Sequence, residues 1–199
     1  MPRRHPFPTV WLMTDERQGE GLWPALHDLP RGSGVIFRHH ALAPDARRAL
    51  FDRVRRVARA RGLVLLLAGP PALARGWRAD GFHGRRLGTA YPELCHSAPA
   101  HDARELVEAQ RSGADLVLLS PVHATRSHPG QKPLGRTRFG LLARQSRLPV
   151  IALGGMTAPR ARTIEALGSQ GWAGIDGLAQ HRHTRRGEPV PNAPSPRRG

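Results

Sequence analysis

A chain of 199 residues suffices for one domain with tails and for a sizeable buried core. One cysteine, Cys95, excludes a disulfide framework and a cysteine-based zinc cluster. The formal charge of +16 is nearly all arginine, Lys132 being the one lysine among 31 basic residues; its even spread and the few aromatics argue against a dedicated nucleic-acid surface.

Residues 1–7 read as a short N-terminal tail, with charge but without the apolar stretch of a signal peptide. Residues 9–14 are an apolar, β-branched run suited to a buried strand, and after a polar stretch residues 34–38 make a second. Pro44 and Asp45 open a helix that puts Ala46, Leu50, Val54, Val57 and Ala58 on one face, and Gly62 stops it. A third strand follows at 63–67. The apolar run around it, 62–74, contains Pro70 and Pro71 and falls short of the roughly 20 residues of a membrane helix. Strands are expected next at 79–83 and 91–97, then a helix over 102–112 and a strand at 116–119. A short helix over 139–145, a strand over 149–153 ending in Gly154-Gly155, a helix over 159–167 and a strand over 172–175 complete the series. From about residue 179 the pattern gives way to His, Arg, Pro and Gly, expected as a disordered basic tail in which His181 and His183 have no assigned role.

Strands alternating with helices predict parallel pairing, and continuous apolar character predicts burial on both faces. Eight strand candidates therefore predict an α/β fold, a compact (β/α)8 TIM barrel over residues 8–178 with short helices. An open doubly wound sheet is the structural rival, but no glycine-rich fingerprint follows the first strand. A cytoplasmic protein without a membrane segment is expected, and the oligomeric state is left open, a homo-oligomer included.

In such a barrel the functional groups stand at the C-terminal ends of the strands. That rule selects Arg38, His39 and His40 after the second strand, and His83, Gly84, Arg85 and Arg86 after the fourth. The sixth strand delivers the run 120–130, rich in hydroxyls and imidazoles, and the seventh delivers Gly154, Gly155, Met156 and Thr157. These groups suit the oxygens of a phosphate or pyrophosphate, and glycines let backbone N–H groups approach an anion. The expected partner is a phosphate-bearing small molecule. Asp15, ending the first strand, is read as a solvated loop acid, with orientation of Arg38 as the other reading, Cys95 as a buried small apolar residue, and Glu165 as solvent-facing.

The runs 113–115, 120–130, 133–135 and 149–156, with 79–83 and 37–38 in order upstream, resemble the thiamine phosphate synthase/TenI family. The resemblance implies a (β/α)8 barrel in which a thiazole phosphate nitrogen displaces pyrophosphate from a hydroxymethylpyrimidine diphosphate, with Mg²⁺ and basic residues holding the pyrophosphate. Carried over by position, Arg38 is the second-strand arginine, Thr125 and Ser127 the paired hydroxyls of the sixth-strand loop, and Gly154 and Gly155 the phosphate-loop glycines. His83 joins the substrate-binding set, and His123 and His128 are the candidate catalytic groups, an imidazole with pKa near 6.5 being suited to proton transfer.

The chain also departs from the family pattern. Ile36 and His40 flank Arg38 where the family has Gln and Lys. Ala68-Gly69 stand where the family has Asn-Asp, and no acid falls between Asp80 and Glu93 where it has a metal ligand. His128 replaces a lysine, and Asp176 falls at the last phosphate-loop hydroxyl. No residue is therefore assigned to a metal, and Mg²⁺ is implied by the resemblance alone. The TenI branch, a thiazole tautomerase that needs no Mg²⁺, has its base at the position of Pro121. A barrel that binds such a ligand without turnover, and a basic nucleic-acid-associated protein, are the other readings.

Overall fold

Strands that are apolar on both faces must be covered on both, and a closed barrel ringed by helices does this without leaving an edge. The computed structural model describes residues 7–85, 91–125, 130 and 132–175. Its eight strands pair in parallel and in chain order into a closed barrel: β1 Val10–Met13, β2 Gly34–Phe37, β3 Val64–Ala68, β4 Gly81–His83, β5 Cys95–Ala100, β6 Leu116–Leu119, β7 Val150–Ala152 and β8 Gly171–Gly174. β8 closes on β1 through the pairs Val10–Trp172, Trp11–Ala173 and Leu12–Gly174. Six α-helices connect them: α1 Leu22–Asp28, preceded by a 3-10 helix over Glu16–Gly21, α2 Pro44–Arg61, α3 Pro71–Gly76, α4 Ala103–Arg111, α5 Gly135–Gln145 and α6 Ala158–Glu165. None of these helices is long and apolar enough to cross a membrane.

Alternation along the strands divides the core. Trp11, Met13, Ile36, Leu66, Ala68, Cys95, Leu116, Leu118, Ile151 and Ala173 fill the barrel. Trp11 is fully buried there, in space left by Gly34, whose missing Cβ would overlap the indole ring. The alternate residues, such as Phe37, Leu67, Val117 and Ala152, pack outward against the helices. Asp80 and Asp115, each just before a strand, accept the backbone N–H of Leu65 and His96 at 2.8 Å and tie adjacent strand starts together. Asp115 thus gives one residue of the family-like run a structural role.

The arginine-rich outer face of α2 packs on aromatic rings as well as facing water. Arg47 and Arg48 lie over Trp77 at 5.5 and 5.2 Å, Arg53 lies over Trp23 at 4.3 Å, and Arg48 pairs with Asp52 at 2.8 Å. Gly62 ends α2 as expected, in the left-handed conformation (φ 63°, ψ 40°), with its N–H bonded to carbonyls of the last turn.

Besides α1 and the 3-10 helix before it, which stand where a polar stretch was expected, three elements differ from expectation. The fifth strand runs over Cys95–Ala100 and not 91–97. β4 is three residues long and its pairing with β5 ends at Ser97, so Pro99 lies past its reach and its missing N–H leaves no rung of that ladder broken. α3 begins at Pro71, read in sequence as an interruption; proline suits the first helical turn, whose N–H groups lack internal partners anyway. α5 begins at Gly135, earlier than the apolar Phe139. Residues 1–6 and 176–199, holding both expected tails, Asp176, His181 and His183, lie outside the described residues, as do Arg86 and the segment 126–129 with Arg126, Ser127 and His128.

Candidate active site

Because β1 points Trp11 and Met13 inward, the next alternate residue, Asp15, also turns toward the barrel axis at its C-terminal mouth. The residue is 5% exposed, and its carboxylate receives Arg38 Nη2 at 2.6 Å, Arg17 Nε at 2.6 Å and Arg17 Nη2 at 3.1 Å. The solvated reading of Asp15 is therefore corrected: it is the buried anchor of Arg38. The Arg17 hydrogen bond comes first among the influences holding its carboxyl below the usual value, with the charges of Arg17 and Arg38 adding and burial opposing. Period-two alternation from Trp11 was the signal in the sequence that this acid faces inward.

Arg38 is fixed from three sides. Its guanidinium also meets Met13 Sδ at 3.3 Å, its backbone N–H donates to Thr14 Oγ1 at 3.1 Å, and its carbonyl accepts Arg47 Nε at 2.8 Å. Thr14 Oγ1 in turn lies 3.0 Å from His39 Nδ1, whose ring stacks on Phe37. A guanidinium held this way keeps its fork oriented for phosphate oxygens, at less entropic cost than a free side chain.

Arg38 opens onto a small axial cavity of about 30 Å³, lined by Met13, Ser120, Pro121, Thr125, Leu153, Gly154 and Ile175 beside it. Three residues selected from sequence thus meet at one place: Arg38, Thr125 and Gly154. The Ser120–Pro121 peptide is cis. Beyond β6 the chain stays bonded to the extension of β7, Val122 N–H to the Leu153 carbonyl at 2.9 Å and His123 N–H to the Gly154 carbonyl at 3.1 Å.

Gly154 and Gly155 have φ of +95° and +60°. A Cβ on Gly154 would stand 2.7 Å from Pro121 Cα, and one on Gly155 would stand 2.6 Å from the Ala124 carbonyl oxygen. Only glycine admits both the conformation and the approach, so this pair is more than a turn.

His123 is not among the residues lining the cavity. It stands behind Gly155, where a Cβ would come within 2.9 Å of His123 Cβ, and near Arg160, which donates to the Gly155 carbonyl. Burial, then the charges of Arg160 and Arg136, hold its imidazole below the ordinary value, and its enclosed Nε2 makes no hydrogen bond among the described residues. Pro121, not His123, reaches the axis.

His83 ends β4, with Nδ1 2.9 Å from Ser97 Oγ on β5. Burial, helped by the charges of Arg38, His96 and His40, pushes it down to about 4, so it is a neutral imidazole at pH 7. Unfolding restores a value near 6.5, and the unfolded chain then takes up the proton first. Stability from this residue is complete above that value and is lost as pH falls from about 6.5 toward 4. Urea unfolding at pH 7 and pH 4.5 is expected to show a loss of roughly 2–3 kcal/mol from His83. His83→Gln removes that share; a variant as acid-sensitive as the parent contradicts the assignment.

The described residues do not fit the Mg²⁺ implied by the family resemblance. At the end of β3 stand Ala68 and Gly69, and after His83 come Gly84 and Arg85. Among the rim carboxylates, Asp15 is shared by two arginines, and Glu16 Oε1 accepts the Ala41 N–H at 3.0 Å. Glu105 is held by Arg85 at 2.8 Å and by His101 at 2.7 Å. A hard divalent cation needs oxygen ligands not already committed to cations.

Comparison with known proteins identifies the family. The family model described as thiamine monophosphate synthase matches residues 25–178. A putative thiamine-phosphate synthase 2 of Aquifex aeolicus is 27% identical over 179 residues, covering 85% of this chain and 96% of that protein. A thiamine-phosphate synthase of Lactococcus lactis is 25% identical over 165 residues, 78% of this chain and 74% of its own length. In fold, the chain is similar to a thiamine phosphate pyrophosphorylase from Pyrococcus furiosus, with a TM-score of 0.74 at 20% identity over 86% of this chain and 87% of that one. A barrel whose mouth gathers Arg38, Thr125 and Gly154, matched by a family model across most of its length, belongs to the thiamine monophosphate synthase/TenI family.

Proposed function

We propose that the chain joins a thiazole phosphate to hydroxymethylpyrimidine diphosphate. The thiazole nitrogen forms a bond to the pyrimidine methylene carbon as the carbon–oxygen bond breaks, and pyrophosphate leaves with the electron pair. The nitrogen carries no proton, so this step needs charge stabilisation on the leaving oxygens more than a general base. The observation that carries the reading is Arg38, anchored by Asp15 and opening onto a cavity shared with Thr125 and Gly154. The family match supports the thiamine chemistry.

In this reading Arg38 and the Thr125 hydroxyl bind phosphate oxygens, Gly154 and Gly155 bring the backbone close, and His83 is a neutral hydrogen-bonding group at the rim. Ser127 and His128, outside the described residues, are assigned to the same loop's phosphate contacts. His123 is a positioning residue behind Gly155. A tautomerase gains no support from the cavity, because the position of the TenI base is Pro121, which lines the axis and carries no titratable proton.

Replacing Thr125 and Ser127 together with alanine is expected to weaken thiazole phosphate binding tenfold or more, the worth of one or two hydrogen bonds to a charged group, with the fold intact. Calorimetric titration reads the affinity and circular dichroism the fold. An affinity equal to the parent's refutes this placement of the phosphate.

A further inference from the structure

The mouth carries guanidinium charge where the family resemblance puts metal ligands. At the end of β3, in place of an acid, the Ala68 carbonyl accepts Arg47 Nη2 at 2.8 Å. The same guanidinium donates through Nε to the Arg38 carbonyl at the end of β2, so Arg47 spans the two strand ends. Arg38 stands one strand over with Nη2 on Asp15. The carboxylates nearby are committed: Asp15 to Arg17 and Arg38, Glu16 to a backbone N–H, and Glu105 to Arg85 and His101.

The imidazoles on this rim are lowered first by burial, with the neighbouring guanidiniums adding to it. His40 lies below its ordinary value through burial and then the charges of Arg47 and Arg38, and His83 through burial and then Arg38. Among the described residues a small, strongly hydrated divalent ion finds no oxygen pair to displace its water. A phosphate, by contrast, meets the positive charge of two fixed guanidiniums.

We propose that this barrel mouth binds the phosphate or diphosphate of its ligand without a divalent cation, Arg38 and Arg47 supplying the positive charge that a metal would otherwise bring. The proposal rests on reading the mouth as a phosphate site, and inorganic pyrophosphate probes both. Calorimetric titration of the full chain is run once in EDTA and once in excess Mg²⁺. Binding is expected in EDTA, with equal or weaker affinity in Mg²⁺, because the ion sequesters the free anion in solution.

Arg47→Met is expected to weaken binding in EDTA about tenfold, and Arg47→Lys to recover most of it, because the charge and not the fork is what the ligand feels from α2. Arg47→Lys also covers the case in which Arg47→Met fails to fold. Binding seen only with Mg²⁺, or a folded Arg47→Met with the parent's affinity, overturns the proposal and leaves the phosphate site standing. A folded parent chain that binds pyrophosphate in neither condition overturns the phosphate site itself.

Discussion

Arg38→Met is expected to lower the affinity of the barrel mouth for thiazole phosphate by about a hundredfold while leaving the fold in place. A guanidinium–phosphate contact consists of charge-assisted hydrogen bonds worth about 1.5–3 kcal/mol each, and a forked contact makes two. The loss of about 3 kcal/mol corresponds to roughly two orders of magnitude in Kd. The variant should still fold, because Asp15 keeps its two contacts with Arg17 and is not left as an uncompensated buried charge. Arg38→Lys is expected to recover only part of the affinity, since one ammonium cannot hold Asp15 and also present a planar fork to the ligand. Calorimetry gives the ratio of affinities and a thermal melt the stability. A folded Arg38→Met chain within threefold of the parent would remove Arg38 from the site.

Gly154→Ala is expected to lower stability strongly. Two costs add. The backbone sits at φ +95°, a conformation an L side chain adopts only with strain of about 1–3 kcal/mol. The new Cβ would also stand 2.7 Å from Pro121 Cα, a backbone atom that cannot swing aside. Overpacking of this kind costs about a further 1–3 kcal/mol. For a domain of this size a loss of about 4 kcal/mol lowers Tm by roughly 10 °C. Relief of the clash moves either the Leu153–Gly154 segment or the Pro121 segment, and both line the cavity, so affinity falls with stability. A melting temperature within 2 °C of the parent's contradicts this geometry.

The barrel was legible because its strands are apolar on both faces, a signal that survives short length. Leu63 to Leu67 and Leu116 to Leu119 read as buried strands without any partner in view. β5 was harder: His96, Ser97 and Pro99 make it polar, and what holds them is tertiary. His96 stacks on Phe82 at 4.3 Å and Ser97 bonds His83, contacts that no local pattern announces. α1 and α3 are too short for periodicity to show, and each contains a proline that is harmless near a helix start.

Within the site, Arg38, Thr125 and Gly154 were found by the rule of strand ends. For Asp15 the orientation of Arg38 stood only second, because a lone acid at a strand end looks solvated until the inward turn of Trp11 and Met13 is followed one step further. Arg47 was missed because in sequence it is one of many arginines on α2, and only the folded chain brings it onto the ends of β2 and β3.

The most direct test is a single-pot assay: the purified chain with thiazole phosphate and hydroxymethylpyrimidine diphosphate, followed for thiamine phosphate and released pyrophosphate. Both products are expected in equal amounts, and Arg38→Met is expected to lose most of the turnover. A folded chain that binds both substrates but releases neither product contradicts the synthase reading and makes the barrel a binding protein.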